Sequence, residues 1–111
     1  MKPLRVKDCF DEKFHEYIVG PRQTGSRGTY LVYGEVAAGE GRKVAPGKGH
    51  EEILLIVSGD GVLESAAGEL PLAEGIALYL GEDFEGTITA GSEGELRYVA
   101  SGGHLPGGHG H

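Results

Sequence analysis

The sequence predicts an all-β domain with almost no helix, and three observations support this class. Glycine supplies 21 of the 111 residues, more than twice its average share of about 7%, without the three-residue period of collagen. Short apolar runs alternate with glycine-containing turns along the chain, as in proteins built from many short strands. No segment of ten or more residues keeps the 3.6-residue period of an amphipathic helix. A chain of this length has room for one compact core.

Composition and charge restrict the expected partners. Ten Lys and Arg residues against 17 Asp and Glu residues give a formal net charge of −7, so neither nucleic acid nor an anionic membrane is an expected partner. The single cysteine, Cys9, excludes an internal disulfide. The sequence shows neither the apolar stretch of a signal peptide nor a run approaching the roughly 20 apolar residues of a membrane span. We therefore expect a cytoplasmic protein.

The segment Pro46–Gly61 is the centre of the predicted fold. A glycine-rich polar loop leads into the apolar run Ile53–Val57, which stops at the turn Ser58–Gly61. A short branched apolar run bounded by turn residues is typical of a strand that is buried on both faces. We therefore expect a central strand, entered from a loop that carries the polar side chains of His50 and Glu52.

Residues 1–28 are expected to form an N-terminal arm with short edge strands. Apolar and basic residues alternate over residues 4–7, and His15–Val19 is a second short strand. A polar loop with two arginines follows over residues 22–28.

Residues 29–100 are expected to contain the main strands. The strongest prediction is Thr29–Ala38, in which aromatic and branched residues alternate between two faces. One face carries Tyr30, Val32, Gly34 and Val36. The other expected strands are Arg42–Ala45, the hairpin Val62–Ser65 with Glu69–Leu72, then Ile76–Leu80, Thr87–Thr89 and Glu95–Ala100.

Residues 101–111 are expected to form a flexible tail, because glycine at this density cannot offset its ordering entropy by burial. The tail contains His104, His109 and His111. Imidazoles on a flexible chain can bind Ni, Cu or Zn, and the tail could also fold back to complete a site in the domain. An ordinary disordered terminus is the alternative.

Two spacings resemble the motifs of the cupin superfamily. Glu52 and Gly59 are seven residues apart, as are the glutamate and glycine of the first cupin motif, and Gly75 opens a strand that leads to the turn Gly81–Asp83, as in the second motif. The resemblance covers residues 29–100. It implies a double-stranded β-helix, which is a small jelly-roll barrel of two facing antiparallel sheets.

The resemblance also implies a metal ion held by histidines and one glutamate, of which this chain keeps only Glu52. The first two of the usual histidine positions fall on Pro46 and Lys48, or on Ala45 and Gly47 if the loop is one residue longer, and the last falls on Gly86. A first-row metal needs three or four convergent ligands, so one carboxylate cannot bind it tightly alone. Two cofactor assignments stay open: one divalent transition metal (Ni, Zn, Cu, Fe or Mn), or none.

His50 and Glu52 are the candidate site residues. They are two residues apart, so an extended backbone would place both side chains on one face, where they would form a pair or half of a reduced metal site. The alternative for His50 is a loop histidine without a role. Glu52 is either a strand-start residue in water or a partly buried carboxylate that needs a partner such as Lys48, Arg97 or a ligand.

Four tyrosines fall on predicted strands: Tyr30, Tyr33, Tyr79 and Tyr98. Some could line the mouth of the barrel and bind a ligand through their hydroxyl groups. Strand tyrosines more often pack in the core with a hydrated hydroxyl, and this is the alternative.

Three functions follow from these residues. The first is a small cupin-barrel binding protein for a small molecule or a divalent metal ion, with its site centred on Glu52 and His50. The second is a metal-dependent cupin enzyme (oxygenase, isomerase or lyase) with an unusual ligand set, and the third is a metal-handling accessory protein that uses the tail histidines. The expected ligand-binding residues are Glu52, His50, Lys48, Tyr79 and Tyr98, and the expected metal ligands are His50, Glu52, His104, His109 and His111.

The sequence assigns no catalytic residue. We expect a homodimer, because the edge strands of a small barrel need cover and the charged N-terminal arm could supply it.

Overall fold

The computed structural model describes residues 2–105, which form two antiparallel sheets joined by short loops. Helix in this range is limited to a 3-10 turn at Val6–Asp8 and one short helix, α1, at Pro21–Thr24. The strands are β1 Phe10–Asp11, β2 Glu16–Val19, β3 Tyr30–Val36, β4 Gly41–Val44, β5 His50–Ser58, β6 Gly61–Ser65, β7 Gly68–Leu72, β8 Ala77–Leu80, β9 Gly86–Ala90 and β10 Leu96–His104. The all-β prediction is confirmed, and neither helical segment is long and apolar enough to cross a membrane.

The two sheets face each other across one apolar core. The larger sheet has the strand order β1-β2-β3-β10-β5-β8, and the smaller has the order β4-β9-β6-β7. The buried core residues come from the inner faces of both sheets. They are Val32, Val36, Leu54, Ile56, Leu80, Leu96, Tyr98 and Ala100 from the larger sheet and Val44, Leu63, Leu72, Ile88 and Ala90 from the smaller. The predicted pair of facing antiparallel sheets is confirmed.

Strands β3 and β10 are central in the larger sheet and alternate between its two faces. On β3, Val32, Gly34 and Val36 are buried, which confirms the predicted inner face. Tyr98 and Ala100 on β10 lie opposite Gly34 and Val32 respectively. Because β10 also pairs with β5, its inner-face residues lie between those of β3 and β5.

The structure corrects the prediction that β5 is buried on both faces. Leu54 and Ile56 are buried, but Ile53 is 58% exposed, and Leu55 and Val57 are exposed as well. Lys7 of the 3-10 turn contacts the outer face at Tyr17 and Glu35, but these three side chains of β5 are left exposed. Apolar residues at alternate positions of β5 therefore remain on the surface.

The N-terminal segment differs from the prediction in two places. Residues 4–7 are not a strand; the edge strand is β1, which pairs with β2. Helix α1 occupies part of the predicted polar loop, because Pro21 at its first position and the left-handed Gly25 after its last are favourable helix boundaries. Strand β2 pairs with β3, so the arm covers the edge of its own sheet.

The C-terminal strand extends further than predicted. Residues 101–104 belong to β10 and not to a tail. Gly102 pairs with Tyr30 on one side and with Glu52 on the other. Main-chain pairing with two strands thus takes the place of the side-chain burial that glycine lacks. The rest of the predicted tail, residues 106–111, lies outside the described residues.

Candidate functional site

A cavity of about 310 Å³ lies on the inner face of the larger sheet. Residues of β2, β3, β5 and β10 line it together with the loop that precedes β5. Its apolar walls include Phe14, Ile18, Val32 and Pro46. A concave space with apolar walls and a few convergent polar groups is the usual form of a ligand pocket.

Glu52 and His50 reach this cavity from the beginning of β5. They lie on one face, as the period of an extended strand predicts. Glu52 Oε2 accepts a hydrogen bond of 2.9 Å from the Tyr30 hydroxyl on β3. Burial raises the pKa of the Glu52 carboxyl, while the Tyr30 hydrogen bond and the charge of His50 oppose this rise. Burial also raises the pKa of Tyr30, so its hydroxyl remains a donor.

Glu16 on β2 also lines the cavity and forms a second carboxylate–tyrosine pair with a residue of the core. Its Oε2 accepts a hydrogen bond from the hydroxyl of Tyr98 on β10, and the Tyr98 side chain is only 1% exposed. Burial is the main cause that raises the pKa of Glu16, and the charge of Glu52 raises it further, against the Tyr98 hydrogen bond and Arg42. The two carboxylates therefore interact electrostatically.

Two glycines make room for the tyrosine rings of these pairs. Tyr98 lies opposite Gly34, and Tyr30 lies opposite Gly102. A Cβ atom at either glycine would overlap the neighbouring ring, so a larger residue at these positions would displace the ring. The glycines thus determine where each ring lies and which carboxylate its hydroxyl reaches.

Two imidazoles lie next to each other at the cavity. His104 on β10 is directly opposite His50 on β5, and their ring centroids are 4.6 Å apart. Nδ1 of His50 is 3.1 Å from the backbone oxygen of Lys48. One of the three predicted tail histidines thus reaches the domain site, and it does so as part of a strand.

Three of the predicted ligand-binding residues are not among those that line the cavity: Lys48, Tyr79 and Tyr98. Lys48 is exposed in the loop before β5, and Arg97 and Tyr79 lie on the outer face of the larger sheet. Ion pairs join Lys48 to Asp83 and Arg97 to Glu95. Among the described residues, the Tyr30 hydroxyl donates to Glu52, whereas Lys48 and Arg97 are paired elsewhere. A ligand as partner of Glu52 stays a prediction.

The residues present do not fit the metal centre that the cupin resemblance implies. His50, Glu52 and His104 line the cavity, whereas His109 and His111 lie outside the described residues. Within residues 2–105, no group of three or more His, Cys, Asp or Glu side chains could hold a metal ion. We therefore derive no chemistry through a metal at this site.

The sequence prediction missed Glu16, although one signal was present. Glu16 and Ile18 share a face of the predicted strand His15–Val19, and a carboxylate on the same face as an apolar residue is a candidate for burial. The pattern could not show its partner, because Tyr98 is 82 residues away in the chain.

Comparison with known proteins shows similarity in structure only. No family model and no curated protein matches the sequence. A cupin protein from Bacteroides fragilis has a TM-score of 0.72 at 20% identity, over 86% of this chain and 81% of that one. The chain has the cupin fold. Ectoine synthase from P. lautus has a TM-score of 0.70 at 19% identity, over 94% of this chain and 78% of that one.

Cupins similar to this chain are named for different activities. A predicted oxalate decarboxylase from Thermotoga maritima has a TM-score of 0.61 at 15% identity, with 81% of each chain covered. Ectoine synthase and the predicted oxalate decarboxylase are both similar to this chain in fold and are named for different activities, so the fold does not select a function here.

The cupin fold also accounts for the spacing between Glu52 and Gly59. Glu52 lies near the beginning of β5, and Gly59 follows its end with a left-handed φ of 85°. A Cβ atom at Gly59 would overlap the backbone of Glu95. Glycine is needed there for both reasons.

Proposed function

We propose that this cupin binds a small molecule in the cavity at Glu52 and His50. The observation that carries the proposal is the combination of two tyrosine-bonded carboxylates, two imidazoles and apolar walls around one space of about 310 Å³. Apolar walls contribute binding free energy, and a few fixed polar groups orient the ligand. The tyrosine hydrogen bonds hold both carboxylates in position before a ligand arrives, which lowers the entropy cost of binding.

Catalysis at the same site is the alternative. Glu16 and Glu52 both have raised pKa values, and such carboxyl groups are suited to proton transfer. A metal-dependent oxygenase, isomerase or lyase would need at least three convergent ligands, and residues 2–105 offer no such group. Binding is therefore the function proposed first.

A variant that obstructs the cavity tests the proposal. Ala45 lines the cavity and is exposed, so Ala45→Trp places an indole at its edge without replacing a core residue. Ala67→Trp is the matched control, because Ala67 is exposed in the turn between β6 and β7. A library of cationic, neutral and anionic small molecules would be screened against both variants and the wild type by ligand-observed NMR.

We expect library members that bind the wild type and Ala67→Trp and lose at least tenfold in affinity with Ala45→Trp. Such a loss corresponds to about 1.4 kcal/mol of binding free energy. If every binder is equally affected by both tryptophans, or if none binds, the cavity is not the ligand site and the proposal is wrong.

Metal analysis separates the alternatives that involve a metal. Mass spectrometry would give the metal content of the untagged full chain and of a chain that ends after Leu105, which keeps His104 and removes His109 and His111. One metal per chain in both forms would support the metal-dependent enzyme. Metal that is lost with residues 106–111 would support the accessory protein, and substoichiometric metal in both would favour the proposed binding function.

We also propose that the homodimer forms through the outer face of the larger sheet. Leu31, Ile53, Leu55 and Val57 are exposed there, on the strands that flank β10. Exposed apolar patches of this kind mark association surfaces. The need to cover exposed edge strands is a weaker reason for a dimer, because the N-terminal arm pairs with an edge of its own sheet.

Sedimentation equilibrium tests the dimer. We expect a wild-type dimer and a monomeric Ile53→Glu variant, because the new carboxylate would be buried without a partner in the interface. Leu70→Glu is the control, because Leu70 is exposed on the smaller sheet and should leave the dimer intact. A monomeric wild type, or an Ile53→Glu dimer, would show that this face is not the interface.

A further inference from the structure

We infer that the ligand of the cavity is a small organic cation, in which an ammonium or amidinium group is attached to an apolar body. The inference rests on the proposed binding function and adds the charge and shape of the ligand. Three features of the cavity support it: the hydrogen-bonding capacity of its carboxylates, the charges around them, and its apolar walls.

The two carboxylates have acceptor capacity left for a ligand. Glu16 and Glu52 line the same cavity, and each accepts one tyrosine hydrogen bond. An ionised carboxylate has two oxygens with about four acceptor positions, so each can accept a further N–H donor. An ammonium group offers three such donors, and an amidinium offers a planar pair that matches one carboxylate.

The charges around the cavity favour a cation over an anion. No lysine or arginine is among the residues that line it. Arg42 is near enough to oppose the raised pKa of Glu16, but its guanidinium donates to the backbone oxygens of His15 and Glu35. His50 is the charged group that acts on Glu52 from within the cavity. A cationic ligand would add to the positive charge that His50 and Arg42 already place near these carboxylates, whereas the carboxylates would repel an anion.

The walls favour an organic cation over a small hydrated one. Phe14, Ile18, Val32 and Pro46 surround the carboxylates with apolar surface. An inorganic cation would leave this surface unused, whereas an apolar body would bury it. Phe14 and Tyr30 line the same space, and a cation is attracted to the face of an aromatic ring.

Three probe ligands of nearly equal shape test whether the cavity prefers a positive, a neutral or a negative ligand. Benzylammonium, benzyl alcohol and benzoate would be titrated into the 15N-labelled full chain, with EDTA present so that no trace metal bridges benzoate to the protein. The dissociation constants would come from amide shifts of β2, β5 and β10. Glu16→Gln and Glu52→Gln keep the side-chain shape and remove one charge each.

Two further variants serve as matched controls for net charge. Glu12→Gln changes an exposed residue of the N-terminal segment, and Glu51→Gln changes the neighbour of Glu52 that lies on the outer face, bonded to Tyr79. We expect benzylammonium to bind at least tenfold more tightly than benzyl alcohol and benzoate to bind weakest. Glu16→Gln and Glu52→Gln should each weaken benzylammonium about tenfold, since hydrogen bonds to charged groups are the stronger ones. The controls should change affinity less than twofold.

The outcomes separate this inference from the proposed function. If benzyl alcohol or benzoate binds in the cavity as tightly as benzylammonium, the site is a ligand site but the organic cation is wrong. If the four glutamine variants weaken benzylammonium equally, attraction is due to net charge and the inference is wrong. If no probe shifts the cavity amides while the library screen finds binders blocked by Ala45→Trp, the inference fails and the proposed function stands. If neither experiment shows binding, both fail.

Discussion

Among residues 2–105, tyrosine hydroxyls donate hydrogen bonds to glutamates on both faces of the larger sheet. The pKa of the glutamate is raised in the inner pairs and lowered for Glu35 on the outer face. The inner pairs are Tyr30–Glu52 and Tyr98–Glu16, and the outer pairs are Tyr33–Glu35 and Tyr79–Glu51. Three of these hydrogen bonds have the same length of 2.9 Å. Residue type and distance therefore do not distinguish a candidate site from a surface contact.

Burial distinguishes the two faces. Burial raises the pKa of Glu16 and of Glu52, whereas a hydrogen bond from Lys7 is the largest cause that lowers the pKa of Glu35. Tyr79 is 67% exposed, so water competes for its hydrogen bond. The inner pairs hold carboxylates where charge is costly and a ligand can reduce that cost. Of the outer pairs, Tyr79–Glu51 is exposed, whereas the part-buried Glu35 has Lys7 as its counter-charge.

We expect the largest effect on stability from substituting a glycine that lies against the tyrosine ring of an inner pair. Gly34→Ala would place a Cβ atom in the space of the Tyr98 ring, so the ring must move and its hydrogen bond to Glu16 must break. We expect the free energy of unfolding to fall by about 3 kcal/mol, the upper end of the range for overpacked cores. Urea unfolding followed by circular dichroism measures it.

Gly94→Ala is the control for the alanine substitution. Gly94 has no neighbouring atom within 4 Å of a built Cβ and no left-handed φ, so its replacement should leave stability unchanged within about 0.5 kcal/mol. Equal effects at the two glycines would mean that Tyr98 relocates at no cost and that its position is not fixed by Gly34.

Removing single hydroxyls compares the two faces directly. Tyr98→Phe should lower the free energy of unfolding by about 2 kcal/mol and Tyr30→Phe by about 1 kcal/mol, because each leaves a buried carboxylate without its donor. Tyr79→Phe should give no measurable change, because Tyr79 is exposed and water replaces the lost donor. Tyr33→Phe should cost less than either inner variant, because Glu35 keeps its ion pair with Lys7. Urea midpoints of the four variants give the comparison. Four similar losses would contradict the role assigned to burial.

Local patterns in the sequence were enough to predict the fold and half of the site. Alternation predicted the inner face of β3, and the spacing from Glu52 to Gly59 predicted the cupin fold. The same alternation places His50 and Glu52 on one face. These predictions succeed because strand periodicity and turn glycines act within a few residues.

The other half of the site depends on contacts that no local pattern contains. Glu16 meets Tyr98 only because β2, β3 and β10 are neighbours in the sheet. The glycine-rich residues 101–104 predicted a tail from composition, but in the fold they pair with β3 and β5 and bring His104 to His50. The glycine content of a segment indicates the entropy cost of ordering it. It does not indicate that hydrogen bonds to two neighbouring strands will offset that cost.

The pH dependence of stability gives the smallest effect, and the two faces should differ in its sign. The pKa of Glu16 in the fold lies above its ordinary value of 4.5, so the folded state retains a proton that the unfolded chain loses, and stability falls as pH rises from 4.5 through the folded pKa. The pKa of Glu35 lies below 4.5, so its contribution is present above 4.5 and is lost as pH falls through the folded pKa.

Substituting Glu16 or Glu35 by glutamine removes its titration and tests the direction in which it makes stability change with pH. Relative to the wild type, Glu16→Gln should become more stable as pH rises from 4.5, because it lacks the cost of a buried charge. Glu35→Gln should become less stable over the acidic interval as pH rises, and by a smaller amount, because solvent screens its ion pair with Lys7. Urea unfolding between about pH 3 and pH 8, which covers the range where carboxyl groups titrate, measures the stability of each variant relative to the wild type. If the stability difference from the wild type changes with pH in the same direction for both variants, burial does not set the protonation of Glu16. The inner pairs would then differ from the outer pairs in position only.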